Sequence, residues 1–142
     1  MKKLPFFLFA LFLFIACKEQ TTETKSVSKT VKRYGSITGL KPEKMAYYKE
    51  LHANAWVGVL KKIKESNIQN YSIYVKEIEG KPYLFSYFEY VGNDFDKDMQ
   101  SMASDTLTQR WWRETDPCQQ PLPDAAAKGK IWSDVEEVFH AD

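Results

Sequence analysis

Tyr48, His52 and Trp56 follow one another at intervals of four, so on a helix a phenol, an imidazole and an indole fall on one stripe. The chain has only two histidines, and imidazole is the side chain whose ordinary titration lies near neutral pH. His52 is therefore the candidate for reversible proton exchange with a bound molecule. The plainer alternative is a core stripe that includes a hydrogen-bonded histidine. A second cluster, TQRWWRETDPC, sets Trp111 beside Trp112. Adjacent helical residues point about 100° apart, so one indole can pack inward while the other lines an opening. An indole offers an apolar platform to the C–H face of a sugar and an N–H to one of its hydroxyls. Two core tryptophans would give the same pattern. Tyr71, at the start of NYSIYV, is a third candidate ring, with a cross-strand packing role as its alternative.

Other chemistries lack their residues. No glycine-rich phosphate loop and no His/Cys cluster at metal-ligand spacing is present, so neither metal nor cofactor is expected. Cys118 stands without a signature of reactivity and reads as a quiet, buried thiol.

The elements that position these residues begin after an unusual N-terminus. MKK is a basic start, LPFFLFALFLFIA is an apolar run too short to span a bilayer comfortably, and Cys17 follows directly. Residues 1–16 read as an export signal. The ending FIAC resembles the lipobox of bacterial lipoproteins, with Phe14 where Leu is usual, and this makes Cys17 a lipidation site. A plain cleaved signal or a short uncleaved anchor is the alternative. The expected location is that of an exported, membrane-anchored lipoprotein, facing the periplasm or on the cell surface.

Loss of Lys2 and Lys3 with the signal leaves the 19 acidic residues one in excess of the basic ones, which excludes the basic footprint of a nucleic-acid binder. Residues 17–32 are rich in Thr, Ser, Lys and Glu, a composition that cannot offset the entropy of ordering. They form a tether with a reach of roughly 20 Å. Residues 33–142 hold enough apolar and aromatic content for one core.

Within that domain RYGSITGL reads as a strand. Pro42 and Glu43 suit the first turn of a helix, which the apolar periodicity extends from about Pro42 to Glu65. QNYSIYVKEIEGKPYLFSYFEYVG reads as a long hairpin joined at EGKP. Asp94 opens a second helical region, and Asp105 or Thr106 caps a short helix over TLTQRWWRE. A Pro- and Ala-rich loop follows, and IWSDVEEVFHAD closes the chain as a strand. The order β-α-β-β-α-β is that of a ferredoxin-like α+β fold, a four-stranded antiparallel sheet with its helices on one face. In PYLFSYFEYV one face carries Tyr83, Phe85, Tyr87 and Glu89, the other Leu84, Phe88 and Tyr90. Neither looks solvated, which predicts a homodimer covering the second face.

RYGSITGLKPEK, YYKELH, NYSIYV, LFSYFEYVGNDF, TQRWW, DPCQQPLP and EEVFHAD together resemble the L-rhamnose mutarotase family, in order from Arg33 to Asp142. The resemblance implies a dimeric α/β-barrel that interconverts the α and β pyranose anomers of L-rhamnose or a related sugar without a cofactor. It also implies His52 as proton donor, Tyr48 and Tyr71 as sugar-binding residues, and Trp111 and Trp112 as the pair closing the pocket. The second acid–base group stays open between Tyr48, Tyr71, Glu89 and an ordered water. Trp56-Val57 replaces the frequent Trp-Pro, and Gly58 a frequent Glu, which implies a straighter helix below the pocket. The lipoprotein signal departs from the cytoplasmic members. A non-catalytic sugar-binding lipoprotein domain is the alternative. A heme-handling or monooxygenase-like protein of the same architecture is disfavoured by a single pocket histidine.

Overall fold

The computed structural model of the chain describes residues 30–141; the signal, Cys17 and the tether up to residue 29 lie outside them. Strand β1 (Lys32–Leu40) is followed by a 3-10 turn (Pro42–Lys44) and two helices, α1 (Met45–Ala53) and α2 (Val57–Glu65). Then come the hairpin strands β2 (Ile68–Ile78) and β3 (Lys81–Tyr90), and helices α3 (Phe95–Ala103) and α4 (Thr106–Thr115). A 3-10 turn (Asp116–Cys118), β4 (Gln119–Gln120), α5 (Pro123–Ala126) and β5 (Ser133–Val135) complete it.

The strands form one antiparallel sheet in the order β2-β3-β1-β4, with β5 also pairing with β1. The ferredoxin-like order is therefore present, but the closing edge differs from the expected single long strand. It is divided between β4 and β5, both laid against β1. The segment between them is not a plain loop. Pro121 and Pro123 lack the N–H that a continuous edge ladder needs, and Pro123 instead starts a helical turn. From residue 136 onward EEVFHA has no regular structure.

Local signals explain most boundaries. Asp94 accepts the Lys97 N–H at 3.1 Å and Asp105 accepts the Thr108 N–H at 2.8 Å, so α3 and α4 each begin on an aspartate cap. Glu79 and Gly80 both have positive φ, 51° and 74°, as a tight two-residue hairpin turn of the right-handed sheet twist requires.

The single helix from Pro42 to Glu65 is the main correction. Asn54 ends α1, with its side-chain amide donating to the Glu50 carbonyl at 3.1 Å, and Trp56 is extended (φ −67°, ψ 129°) as the cap of α2. An asparagine that competes for a helix carbonyl disfavours continuation. Gly58 then allows α2 to lie close to α4, where a Cβ would collide with Leu107. The apolar periodicity runs through the break and conceals it. Val57 thus starts α2 without the proline usual at that place.

The sheet's inner face carries Tyr34, Ser36, Thr38 and Leu40 of β1 opposite Phe88, Ser86 and Leu84 of β3. Leu40 and Leu84 join Tyr48 and Cys118 in the buried core, each leucine contributing about 1.5–3 kcal/mol by leaving water. At the other end Phe95 stacks on Tyr34 at 4.6 Å and meets Tyr90 edge-on at 5.1 Å, fixing α3 to the same face.

One irregularity in β2 decides which residues reach that face. Ile68 pairs with Tyr90, but Ser72 pairs with Tyr87, so Asn70 and Tyr71 together oppose Phe88. Asn70 has φ 50°, and the strand gains one residue in a bulge. The inward positions shift from even to odd numbers, and Tyr71, Ile73 and Val75 turn inward with Phe88, Ser86 and Leu84. Asn70→Gly should leave stability within a few tenths of a kcal/mol of wild type, whereas Asn70→Val should cost about 1–2 kcal/mol, since a left-handed backbone penalises a branched side chain. Urea unfolding compares them, and equal midpoints for the two variants would show that the bulge needs no left-handed residue.

Candidate functional site

A cavity of about 650 Å³ lies between the inner face and the helices, and a neighbouring hollow of about 360 Å³ shares Tyr48, His52, Tyr71 and Trp111 with it. This is the size range of small-molecule sites. The space arises from side-chain size. Ser36 and Ser86 are paired across the centre of an inner face otherwise built of large residues, and both line the cavity.

Five of the residues singled out from the sequence for chemistry or binding meet here. Tyr48, His52, Tyr71, Trp111 and Trp112 line the larger cavity. The tyrosine and histidine of α1 are in ring contact at 4.2 Å, and His52 meets Trp111 edge-on at 5.2 Å. Trp111 is buried at 7 % exposure and Trp112 half-buried, so the first indole packs inward while the second lines the opening. Trp56, across the helix break, supports Trp111 edge-to-face at 5.4 Å, with Arg110 over its own ring at 5.6 Å. The sequence stripe therefore ends at His52, and Trp56 reaches the site only through Trp111.

The imidazole has a defined state. His52 Nδ1 lies 2.9 Å from the Tyr48 carbonyl oxygen, and a carbonyl only accepts, so Nδ1 carries the proton and donates. In the neutral ring Nε2 then holds the lone pair. Burial lowers the imidazole's pKa below 6.5, and the bond to Tyr48 opposes this only in part. The environment thus favours the neutral ring.

The two phenols are donors. Burial pushes Tyr48 well above the usual phenol range and raises Tyr71 too, against a hydrogen bond with Ser86 that lowers it. Tyr71 keeps 44 % of its surface exposed at the sheet margin while its hydroxyl end is sheltered. Its ring is held edge-on to Phe88 at 5.7 Å.

Glu89 does not belong to the site. It projects from the outer face, where Gln69 Nε2 (2.8 Å), Asn70 Nδ2 (2.7 Å) and the Tyr87 hydroxyl (3.1 Å) donate to it. Those bonds, led by Gln69, hold its carboxyl below the usual range. Conversely, Ser86, Asp116 and Gln119 line the cavity without having been singled out. Ser86 was legible as a polar gap between Leu84 and Phe88 in the alternation of β3. Asp116 had only its place before a helix-stopping proline.

A family model described as L-rhamnose mutarotase matches residues 33–141. Curated relatives with that description include one from Ligilactobacillus salivarius, 32% identical over 113 residues, covering 78% of this chain and 97% of the relative. Another, from Bacillus subtilis, is 29% identical over 112 residues, covering 79% of this chain and all of the relative. Among solved structures, the L-rhamnose mutarotase of Formosa agariphila superposes with a TM-score of 0.57 at 23% identity, over 78% of this chain and 99% of that one. The α+β architecture, an antiparallel sheet curled into half a barrel under helices, is similar to that structure.

Proposed function

The chain belongs to the L-rhamnose mutarotase family, and we propose that it interconverts the α and β pyranose anomers of L-rhamnose or a closely related sugar by acid–base ring opening, without a cofactor. The observation that carries this reading is the His52 imidazole, whose Nδ1–H is engaged by Tyr48 while Nε2 keeps its lone pair in an aromatic cavity. Opening a hemiacetal needs one proton removed from O1 and one delivered to the ring oxygen. Once C1 has turned, closure on the other face reverses both transfers. A neutral imidazole starts as acceptor and, once charged, becomes the donor, as a near-thermoneutral exchange requires.

The walls serve binding. Trp112 offers an indole to the sugar's apolar face, the Tyr48 and Tyr71 hydroxyls donate to its oxygens, and Trp111 fixes the plane of His52. Export and lipidation at Cys17 are part of the proposal and rest on the sequence of residues 1–17. Stable attachment needs more than one acyl chain. A homodimer is also part of it, supported by the outer face, where Ile37, Phe85 and Tyr87 lie beside Tyr74, itself 62 % exposed.

Saturation-transfer NMR between the two anomers of L-rhamnose tests the reaction. Wild type should exchange them, and His52→Ala should be slower by about a hundredfold or more with the fold retained in a thermal melt. Binding without wild-type exchange would instead identify a non-catalytic sugar-binding domain. Mass spectrometry should find the mature N-terminus at an acylated Cys17, and an unmodified start further along would overturn the anchor. Sedimentation of residues 33–142 should give twice the chain mass, and a persistent monomer would leave the outer face without its proposed cover.

A further inference from the structure

Mutarotation needs two groups, and only one has been placed. O1 and the ring oxygen are both bonded to C1, so acceptor and donor must reach the substituents of one carbon inside one cavity. Besides His52, the titratable side chains lining it are Tyr48, Tyr71, Asp116, Lys130 and Asp134. Lys130 and Asp134 pair with each other at 3.8 Å, with side chains 59% and 81% exposed, and so belong to the rim. The sheltered phenols of Tyr48 and Tyr71 are held protonated, which suits them to donate hydrogen bonds and not to accept a proton. Glu89 is on the far face of the sheet.

We propose that Asp116 is the second acid–base group of the site, acting with His52 on the same sugar. The proposal rests on the mutarotase reading above. Asp116 follows the last turn of α4, the helix that carries Trp111 and Trp112, and enters the 3-10 turn that Pro117 imposes. It is half-buried, lines the cavity, and acts electrostatically on the phenol of Tyr48, whose ring lies against that of His52. The charged neighbours of this turn are Lys41, Lys44 and Glu114, which act on Cys118, and the Lys41 amine is spent on the Pro117 carbonyl at 2.7 Å. Cys118 beside it is a buried neutral thiol.

Burial raises the Asp116 carboxyl, opposed by a hydrogen bond with Thr115, as it lowers the His52 imidazole. The two shifts move the acid up and the base down, which narrows the gap between the two groups. The form of the pair that opens the ring holds one proton to give, on Asp116, and one lone pair to receive, on His52 Nε2. On opening, Nε2 takes the O1 proton, the carboxylic acid protonates the ring oxygen, and the C1–O5 bond breaks as C1=O1 forms. On closure O5 adds to the opposite face of C1, its proton returns to the carboxylate, and the imidazolium returns its proton to O1. No proton is gained or lost over the cycle, and nothing is oxidised.

The test compares wild type, Asp116→Asn and Asp116→Glu in the full-length chain, reading L-rhamnose anomer exchange by NMR and sugar affinity by tryptophan fluorescence. Asp116→Asn should slow exchange by about a hundredfold or more, with affinity and melting temperature unchanged and one limb of the pH–rate profile lost. Asp116→Glu should restore part of the rate. Exchange at the wild-type rate in Asp116→Asn, with wild type active, would overturn the role of Asp116 alone. Loss of exchange in step with affinity and melting temperature in both variants would reassign it to structure. Wild type that exchanges nothing would overturn the mutarotase reading and this inference with it.

Discussion

The hydrogen bond from His52 Nδ1 to the Tyr48 carbonyl at 2.9 Å is the constraint on which the rest of the site depends. It fixes the tautomer, turns the ring, and leaves a single nitrogen with a lone pair. The bond is available because α1 places residues four apart along one stripe, so a side chain can reach back one turn to a carbonyl. Everything around the imidazole then limits where it can go. Tyr48 lies against one side, and Trp111 meets it edge-on. Trp111 is in turn held by Trp56 from beyond the helix break. The break and the ring packing therefore act together, since a straight helix would carry Trp56 away along the same stripe.

The sheet supplies the opposite wall by two local departures from regularity. Small residues at Ser36 and Ser86 leave room on a face that Phe88, Leu84 and Leu40 would otherwise fill. The bulge at Asn70 turns Tyr71 inward and at the same time leaves Asn70 and Gln69 to hold Glu89 outside. One inserted residue thus decides which polar groups face the cavity and which face away.

The parts of this arrangement that were legible in the sequence are those set by local chemistry. Asp94 and Asp105 cap helices because an aspartate before a helix accepts an unpaired backbone N–H. Gly80 closes a hairpin, and the Tyr48–His52 spacing made a stripe. The motifs around His52, Tyr71 and Trp111-Trp112 carried the family resemblance, and these residues line the cavity. What was not legible depended on competition between levels. Apolar periodicity passes unbroken through Asn54–Trp56, so it could not reveal that the chain leaves the helix there. Strict alternation from Ile68 would turn Tyr71 outward, and only the left-handed Asn70 reverses it. Asp116 is a lone acidic residue in a proline-rich stretch, and its burial is a tertiary fact that no spacing announces.

The proton state of His52 in the folded protein tests the site most directly. Nitrogen NMR of the chain labelled at histidine should show, at pH 7, a neutral ring with the proton on Nδ1 and the lone pair on Nε2, titrating with a midpoint below 6.5. Because the folded ring resists protonation, its contribution to stability is complete above 6.5 and is lost as the pH falls from there through the folded midpoint. A proton on Nε2 in the neutral ring would contradict the Tyr48–His52 hydrogen bond as the element that prepares this imidazole for proton exchange, and a midpoint at or above 6.5 would contradict burial as the cause that keeps the ring neutral.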